Sequence, residues 1–303
     1  MTHHAINLNE QICWIKSFVD KADATASDWE QYDIISKNIG ECFSNQTIST
    51  EEKSRLKEAY GSAMTSQTLQ GFVLTKPHGY AGDYEIIDKF YTMHTSPDER
   101  LAKWDDYLHT FPAVKAVRNR KHYIKSLLQQ KLADKTNNST FEMLNLASGP
   151  ARDLYEFFNE NPGANFSAEC IDLDENAIKY ATRLLSEHSN KVKFHNKNIL
   201  RFKNEKQYDL VWSAGLFDYF NDEIFKRLIT RFLNNVKQGG ELVVGNFCST
   251  NPDINYMVLL DWVLYHRNED DLIKLVMECN VLRDRITVEK EEEGVNLFIR
   301  IRK

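Results

Sequence analysis

The residues best suited to chemistry lie just after apolar runs. FEMLNLASGPARDL, residues 141 to 154, reads as a strand that ends near Ala147 and passes through a turn into a helix. Gly149 permits close backbone approach, and Pro150 suits a first helical position, where a missing N–H costs nothing. The free amides of Ala151 and Arg152 would then face a carboxylate or other anionic group. CIDLDENAI puts Asp172 at the end of the next run, about 20 residues on, where an acidic side chain accepts hydrogen bonds from a ribose diol. Asp174 is read as the cap of the following helix. HNKNILRF puts Asn198 after a third run, with a side-chain oxygen able to accept from an adenine amino group. Taken one at a time, the turn also fits a plain strand–helix connection, and the asparagine a simple loop residue.

These positions need a scaffold of alternating elements. From Phe141 onward the apolar runs FEMLNLA, NFSAECIDL, KVKFHN, YDLVWSAG and ELVVGNF alternate with helical stretches such as ENAIKYATRLLSEH and DEIFKRLITRFLNNVK. Such alternation predicts a parallel sheet covered by helices on both faces. A long helical segment is expected from about Asn255 to Asn280. After it, RITVEKEEEGVNLFIRIRK holds two strand-like runs with a short acidic turn and Gly294 between them, which requires an antiparallel hairpin. EKEEEG is read as its exposed turn.

Residues 1 to 112 show helical spacing and no convincing strand, as in QICWIKSFVDKA and STEEKSRLKEAYGSAM, with a helix start at Thr50. Pro77, Gly79 and Gly82 lie too close together for a continuous helix, so a shaped loop is expected near 75 to 83. A helix follows Pro112, and the polar linker ADKTNNST ends it and marks a change of pattern. Its basic group, Lys115, Arg118, Arg120, Lys121 and Lys125, wraps around the helix and is read as a solvated face, from which one member could still pair with a carboxylate. The fold class is therefore α/β: a Rossmann-like sheet of seven strands, mostly parallel, with a C-terminal antiparallel hairpin (113–303), preceded by an N-terminal helical cap (1–112).

A chain of 303 residues, 42% of them hydrophobic, can bury a large core. With 38 Lys+Arg against 44 Asp+Glu, the formal charge of −6 gives no global field favouring nucleic acid or an anionic membrane. No apolar run approaches the roughly 20 residues needed to cross a bilayer, and MTHHAINLNE lacks a signal-peptide pattern, so a cytoplasmic protein is expected. Cys13, Cys42, Cys170, Cys248 and Cys279 are scattered and odd in number, which suits buried thiols rather than disulfides or zinc, and no metal is expected. The chain has no GKS or GKT loop, no HExxH, no CxxC pair, and no GxSxG elbow.

Taken together, residues 113 to 303 resemble the class I S-adenosylmethionine-dependent methyltransferases. The likeness rests on the strand pattern with its final hairpin, the acidic end of the second strand, YDLVWSAGLFDYF at the fourth, and NVKQGGELVVGNF leading into the fifth. It implies S-adenosyl-L-methionine as cofactor, held by Ala147, Ser148, Gly149, Asp172, Leu173, Asn198, Ile199 and Ser213, with Tyr80 from the front segment. The sequence departs from the family at ASGPA, which replaces a three-glycine loop, and at Asn198, where an aspartate is common. S-adenosylmethionine carries no phosphate and presents its amino-acid end to this turn, so one glycine can suffice.

TKPHGYAGDYEIIDKFY together with GNFCSTNPDINYMVLLDWVLYHRNEDDL is similar to a bacterial subgroup that includes synthases of hydroxy fatty acid methyl ester signals. That resemblance implies a front segment folded over the cofactor, with His78, Tyr80 and Asp83 near the methyl group. It also implies an acceptor pocket of Asn246, Trp262, Tyr265 and Arg267, in which Tyr265 and Arg267 have catalytic roles. NPDINYM lacks a basic residue expected after the proline, so the acceptor can differ from a fatty acid. Each residue has a plainer reading: His78 a surface histidine, Trp262 and Tyr265 a core stripe with Leu259, Arg267 a solvated charge.

The expected activity is O-methylation of a small carboxylic acid or hydroxylated compound. A carboxylate needs only a clamp, for which Arg267 and Tyr265 are candidates, whereas a hydroxyl needs a base, for which His78 or Asp83 could serve. N-methylation of a metabolite or protein side chain, and a cofactor-binding scaffold without turnover, are the alternatives. The expected partner is a small-molecule acceptor, with neither nucleic acid nor membrane. Oligomeric state is open, a homodimer being one option.

Overall fold

The computed structural model describes residues 8–19, 21, 24–135 and 139–303. The first seven residues of the MTHHAINLNE stretch, and residues 136–138 of the expected linker, lie outside them. Among the described residues the α-helices are α1 (Leu8–Val19), α2 (Ala26–Ser44), α3 (Thr50–Tyr60), α4 (Leu69–Thr75), α5 (Tyr84–Tyr91), α6 (Glu99–His109), α7 (Pro112–Ala133), α8 (Arg152–Glu160), α9 (Glu175–Leu184), α10 (Asp222–Leu233), α11 (Ile254–Leu259) and α12 (Glu269–Met277). The strands are β1 (Phe141–Leu146), β2 (Phe166–Asp172), β3 (Val192–Asn196), β4 (Tyr208–Ser213), β5 (Val236–Phe247), β6 (Ile286–Lys290) and β7 (Asn296–Arg302). They form two compact units, Met1–Val114 with Pro252–Val263, and Lys115–Asn251 with Leu264–Lys303.

The first unit is helical. Its helices start where the sequence can cap them: Thr25 and Asp28 form a reciprocal capping box on α2, as Ser49 and Glu52 do on α3, which begins at Thr50 as expected. Its core is aromatic. Phe18, Tyr32, Trp29 and Trp104 pack mainly edge to face, with the Phe18 and Trp104 centroids 5.3 Å apart. The segment 252–263 belongs to this core through Tyr256, whose hydroxyl is 3.1 Å from that of Tyr32. A Cβ at Gly40 would stand 2.4 Å from the Asn255 carbonyl oxygen, so only glycine lets α2 approach α11 so closely.

That segment corrects one expectation. No continuous helix runs from Asn255 to Asn280: α11 ends before Asp261, which is left-handed at φ 54°, and α12 starts at the Asn268 cap. Trp262 and Tyr265 are therefore not a helical stripe with Leu259.

The second unit is a seven-stranded sheet in the order β3-β2-β1-β4-β5-β7-β6. The first five strands are mutually parallel, and β7 runs antiparallel to both β5 and β6, as expected from the chain's alternation and closing hairpin. Strand alternation sends neighbouring residues to opposite faces. Leu210, Trp212 and Val243 pack with Leu127 of α7 and Phe157 of α8, while Val211, Leu242 and Val244 pack with Phe225 and Leu228 of α10 and Val276 of α12. Each fully buried side chain of this size contributes about 1.5–3 kcal/mol. Strand order reverses at β1, which has β2 on one side and β4 on the other, so the ligand crevice of such a sheet lies beyond the carboxyl ends of these strands.

Three surface expectations need correction. The basic residues of α7 are not all solvated: Arg120 and Lys121 are buried, and Lys121 and Lys125 pair with Glu156 at 2.6 and 3.2 Å. In the hairpin turn Glu291 is buried, because its carboxylate accepts from the amides of Val295 and Asn296 and closes the turn. Among the thiols only Cys170 and Cys248 are buried, and Cys13 is exposed.

Candidate active site

The first turn has more structure than its single glycine suggests. Ala147, Gly149 and Ala151 take φ values of 54°, 53° and 49°, so alternate residues are left-handed although two of them carry a Cβ. Each alanine costs on the order of 1 kcal/mol there, strain of the kind held at binding sites. Gly149 donates its amide to Asp172 Oδ2 at 2.8 Å, and Asp174 donates to Oδ1 at 2.9 Å. The tip of the first turn is thus tied to the end of the second strand. The expected helix start is corrected: α8 begins at Arg152, Pro150 precedes it within the turn, and the Ala151 amide donates to the Ser148 carbonyl instead of facing a ligand.

The other residues expected at the cofactor cluster at the same edge. Ser148 donates its amide to the Ile171 carbonyl, and Ser213 is buried with its hydroxyl donating to the Leu146 carbonyl at 3.0 Å, tying β4 to β1. Asp172 is 8% exposed; burial pushes its carboxyl above the usual range, against the pull of the two amides. Next to it Leu173 is 67% exposed, an apolar side chain left open at the rim. Asn198 accepts from the Leu200 amide at 2.8 Å, and Ile199 is buried in the core. Asn196 was not anticipated; its side chain donates to the carbonyls of Asp172 and Leu173 and fixes this rim.

Asn246, Tyr265 and Arg267 also come together, but as a clasp. Arg267 is buried and spends all five N–H groups on the protein: two on Asp222 Oδ1, one on Asn246 Oδ1, and two on the carbonyls of Phe217 and Phe220. Neither a solvated charge nor an open clamp fits that geometry. The Asn246 amide in turn donates to the carbonyls of Phe247 and Tyr265. Tyr265 keeps its ring half-exposed, with the Arg267 guanidinium 5.8 Å from its centroid.

His78, Tyr80, Asp83 and Trp262 belong to the helical unit. Lys76, Gly79 and Gly82 have positive φ and shape the expected loop. Asp83 is 1% exposed and caps α5, accepting from the amides of Glu85 and Ile86, so it is not a free base. His78 Nε2 lies 2.9 Å from Glu85 Oε2, while Tyr80 is exposed and Trp262 half-buried.

Sequence reading missed three buried charges beside the first turn: Arg120, Asp153 and Asp218. Burial raises both carboxyls to about 6, and the Arg120 guanidinium pulls both back down. A Cβ at Gly215 would stand 2.4 Å from Arg120 Nη1, so glycine just after β4 admits the guanidinium. Asp218 Oδ1 is buried without a hydrogen-bond partner. The only available signal was Arg120 standing in a helix face that also had to cover a sheet.

A separate groove of about 570 Å³, lined by Leu132, Ser139, Ala164 and Asn165, opens at the amino ends of β1 and β2, away from this edge. Among the described residues no group of three or more His, Cys, Asp or Glu could hold a metal ion. Nor is any helix among them long and apolar enough to cross a membrane.

Residues 143–240 match the family model of a methyltransferase domain. The matched span runs from β1 into β5 and contains the first turn, Asp172, Asn198 and Asp218. This part of the protein is a methyltransferase domain. The fold of the chain is shared by a possible exported protein from Bordetella parapertussis, with 17% identity, TM-score 0.62, and 98% of this chain and 95% of that one covered. A putative O-methyltransferase from Nostoc punctiforme has 11% identity and TM-score 0.52 over 79% of this chain and 71% of that one. At these identities both are likenesses of fold. No curated protein matches the methyltransferase.

Proposed function

We propose that this methyltransferase moves the methyl group of S-adenosyl-L-methionine to an oxygen of a small carboxylic acid or hydroxylated compound, with the cofactor held over the β1–β4 carboxyl edge. The observation that carries the seat is the tie between Gly149 and Asp172. It sets a buried carboxylate, with acceptor capacity left after two amide bonds, beside a turn whose glycine has nothing within 4 Å of a would-be Cβ. That open turn suits the amino-acid end of the cofactor, Asp172 the ribose diol, and exposed Leu173 the adenine face. When bound, the cofactor supplies a methyl group already activated by its sulfonium.

What remains for the protein is alignment, exclusion of water and, for a hydroxyl acceptor, acceptance of a proton. In this reading Arg267 and Asn246 act as positioning residues: with every Arg267 N–H used internally, they hold the turn after β4 and leave Tyr265 as the acceptor-side group of the clasp. The bacterial subgroup with hydroxy fatty acid ester synthases remains the proposed neighbourhood of the substrate.

The test is incubation with methyl-tritiated cofactor and separated lipid, metabolite and protein fractions. Label in a small molecule and bound to oxygen, as an ester released by mild base or as an ether stable to it, supports the proposal. Label confined to protein sinks it in favour of protein methylation, and tight cofactor binding without label in any fraction favours a scaffold.

A further inference from the structure

Three of the buried charges of the sheet unit, Arg120, Asp153 and Asp218, have an unbalanced sum, and the buried carboxylate of Asp172 at the same edge adds no positive charge to it. Asp153 enters from the first turn of α8, Asp218 from the turn after β4, and Arg120 from α7. The neighbouring charges cancel among themselves. Glu156, which faces Asp153, is matched with Lys121 and Lys125, and Lys125 also meets Glu160. Arg267, which faces Asp218, is bound to Asp222. Asp218 also receives the amide of Phe247 and its own amide, and Asp153 the amide of Leu154 and its own, while the Cys170 thiol, pushed up by burial, faces Asp153 as a neutral group. Two ionised carboxylates against one guanidinium leave one uncompensated negative charge. An unpaired buried charge is costly unless a proton or a cationic ligand neutralises it. The buried, partnerless Oδ1 of Asp218 marks where that compensation is missing.

The cofactor reading supplies a cation of matching size. S-adenosylmethionine carries a sulfonium, an ammonium and a carboxylate, a net charge of one positive unit; its product lacks the sulfonium charge and is neutral overall. We infer that Asp218, set against Arg120 and Asp153 at the carboxyl edge of β1 and β4, is a specificity-determining residue that favours the cationic methyl donor over the neutral product. By this charge difference the site discriminates two ligands of almost identical shape, and spent cofactor leaves more readily. The inference rests on the cofactor reading above and adds to it a residue and a selection rule.

The test is calorimetric titration of the full chain and its Asp218→Asn variant with S-adenosylmethionine and, separately, with S-adenosylhomocysteine, at pH 5 and pH 7.5. The expected result is that the variant loses preference for the donor by about tenfold at pH 7.5, the scale of one unit charge across roughly 10 Å at an effective dielectric near 20. The wild-type preference should also shrink from pH 7.5 to pH 5 as the carboxyls protonate, and the variant should keep less of that pH dependence. A merely structural role would move both affinities together; an unchanged ratio at pH 7.5 would overturn the inference and leave the cofactor reading intact. If Asp218→Asn fails to fold, a pH-independent wild-type ratio overturns it equally. Binding of neither ligand by the wild type would remove the cofactor reading and the inference with it.

Discussion

At the residue scale the first turn is held by Asp172 rather than by glycines. Its carboxylate anchors the Gly149 and Asp174 amides at 2.8 and 2.9 Å, so Asp172→Ala removes a ligand acceptor and frees the turn at once. If Asp172 is the ribose acceptor proposed above, calorimetry should show S-adenosylmethionine affinity falling by tenfold or more, the scale of one hydrogen bond to a charged group. Unchanged affinity would show that the ribose is held elsewhere. Ala151 makes the opposite prediction. With φ at 49° it bears a left-handed strain that glycine would not, so Ala151→Gly should stabilise the fold by about 0.5 kcal/mol, the strain relieved less the added chain entropy. Urea unfolding measures this directly, and a loss of stability would mean that the alanine methyl group contributes more by packing than it costs by strain.

At the element scale the segment 252–263 matters most, because a stretch between β5 and α12 is built into the helical unit. Tyr256 fastens it there: its hydroxyl meets Tyr32 and donates to Gln70, and its ring packs on Phe111 at 4.7 Å. Tyr256→Phe keeps the ring and drops the hydroxyl, leaving Gln70 Oε1 short of a donor, and should cost about 1–2 kcal/mol in chemical denaturation. Tyr256→Ala should cost about 3–5 kcal/mol, because a cavity opens within the aromatic core. Equal losses in the two variants would mean that the hydroxyl network, and not ring packing, holds the segment.

At the scale of the whole molecule, stability and pH are linked through groups moved in opposite directions. Asp153 and Asp218 are raised to about 6. The native state therefore binds their protons more tightly than the unfolded chain does. Their contribution is fully present below the unfolded pKa near 4 and is lost as pH rises through about 6. Glu142, Glu156, Glu169 and Glu241 are held below the usual range by lysine and arginine partners, so their contribution is present above about 4.5 and lost as pH falls. Asp218→Asn removes one of the raised groups. Its stability relative to wild type should therefore increase from pH 4.5 to pH 7, by at most about 3 kcal/mol, in urea unfolding at the two pH values. A relative stability that stays flat with pH would place the Asp218 carboxyl in its ordinary range.

Period and punctuation in the sequence determined the alternating strands, the closing hairpin, the shaped loop at 75–83 and the acid at the end of β2, because each depends on residues close together in the chain. The caps at Thr25 and Asp174 follow the same local logic. Only the tertiary structure decided which charges lie inside. Arg120 sits on a basic helix face and Arg267 in a polar stretch, yet both are buried by elements distant in sequence, and Asp83 is consumed as a cap. The same holds for the two alanines of ASGPA: their left-handed backbone is imposed by the joining of β1 to β2, against their own preference. Local chemistry is written in neighbouring residues, whereas burial and charge balance arise only when distant segments close around a side chain.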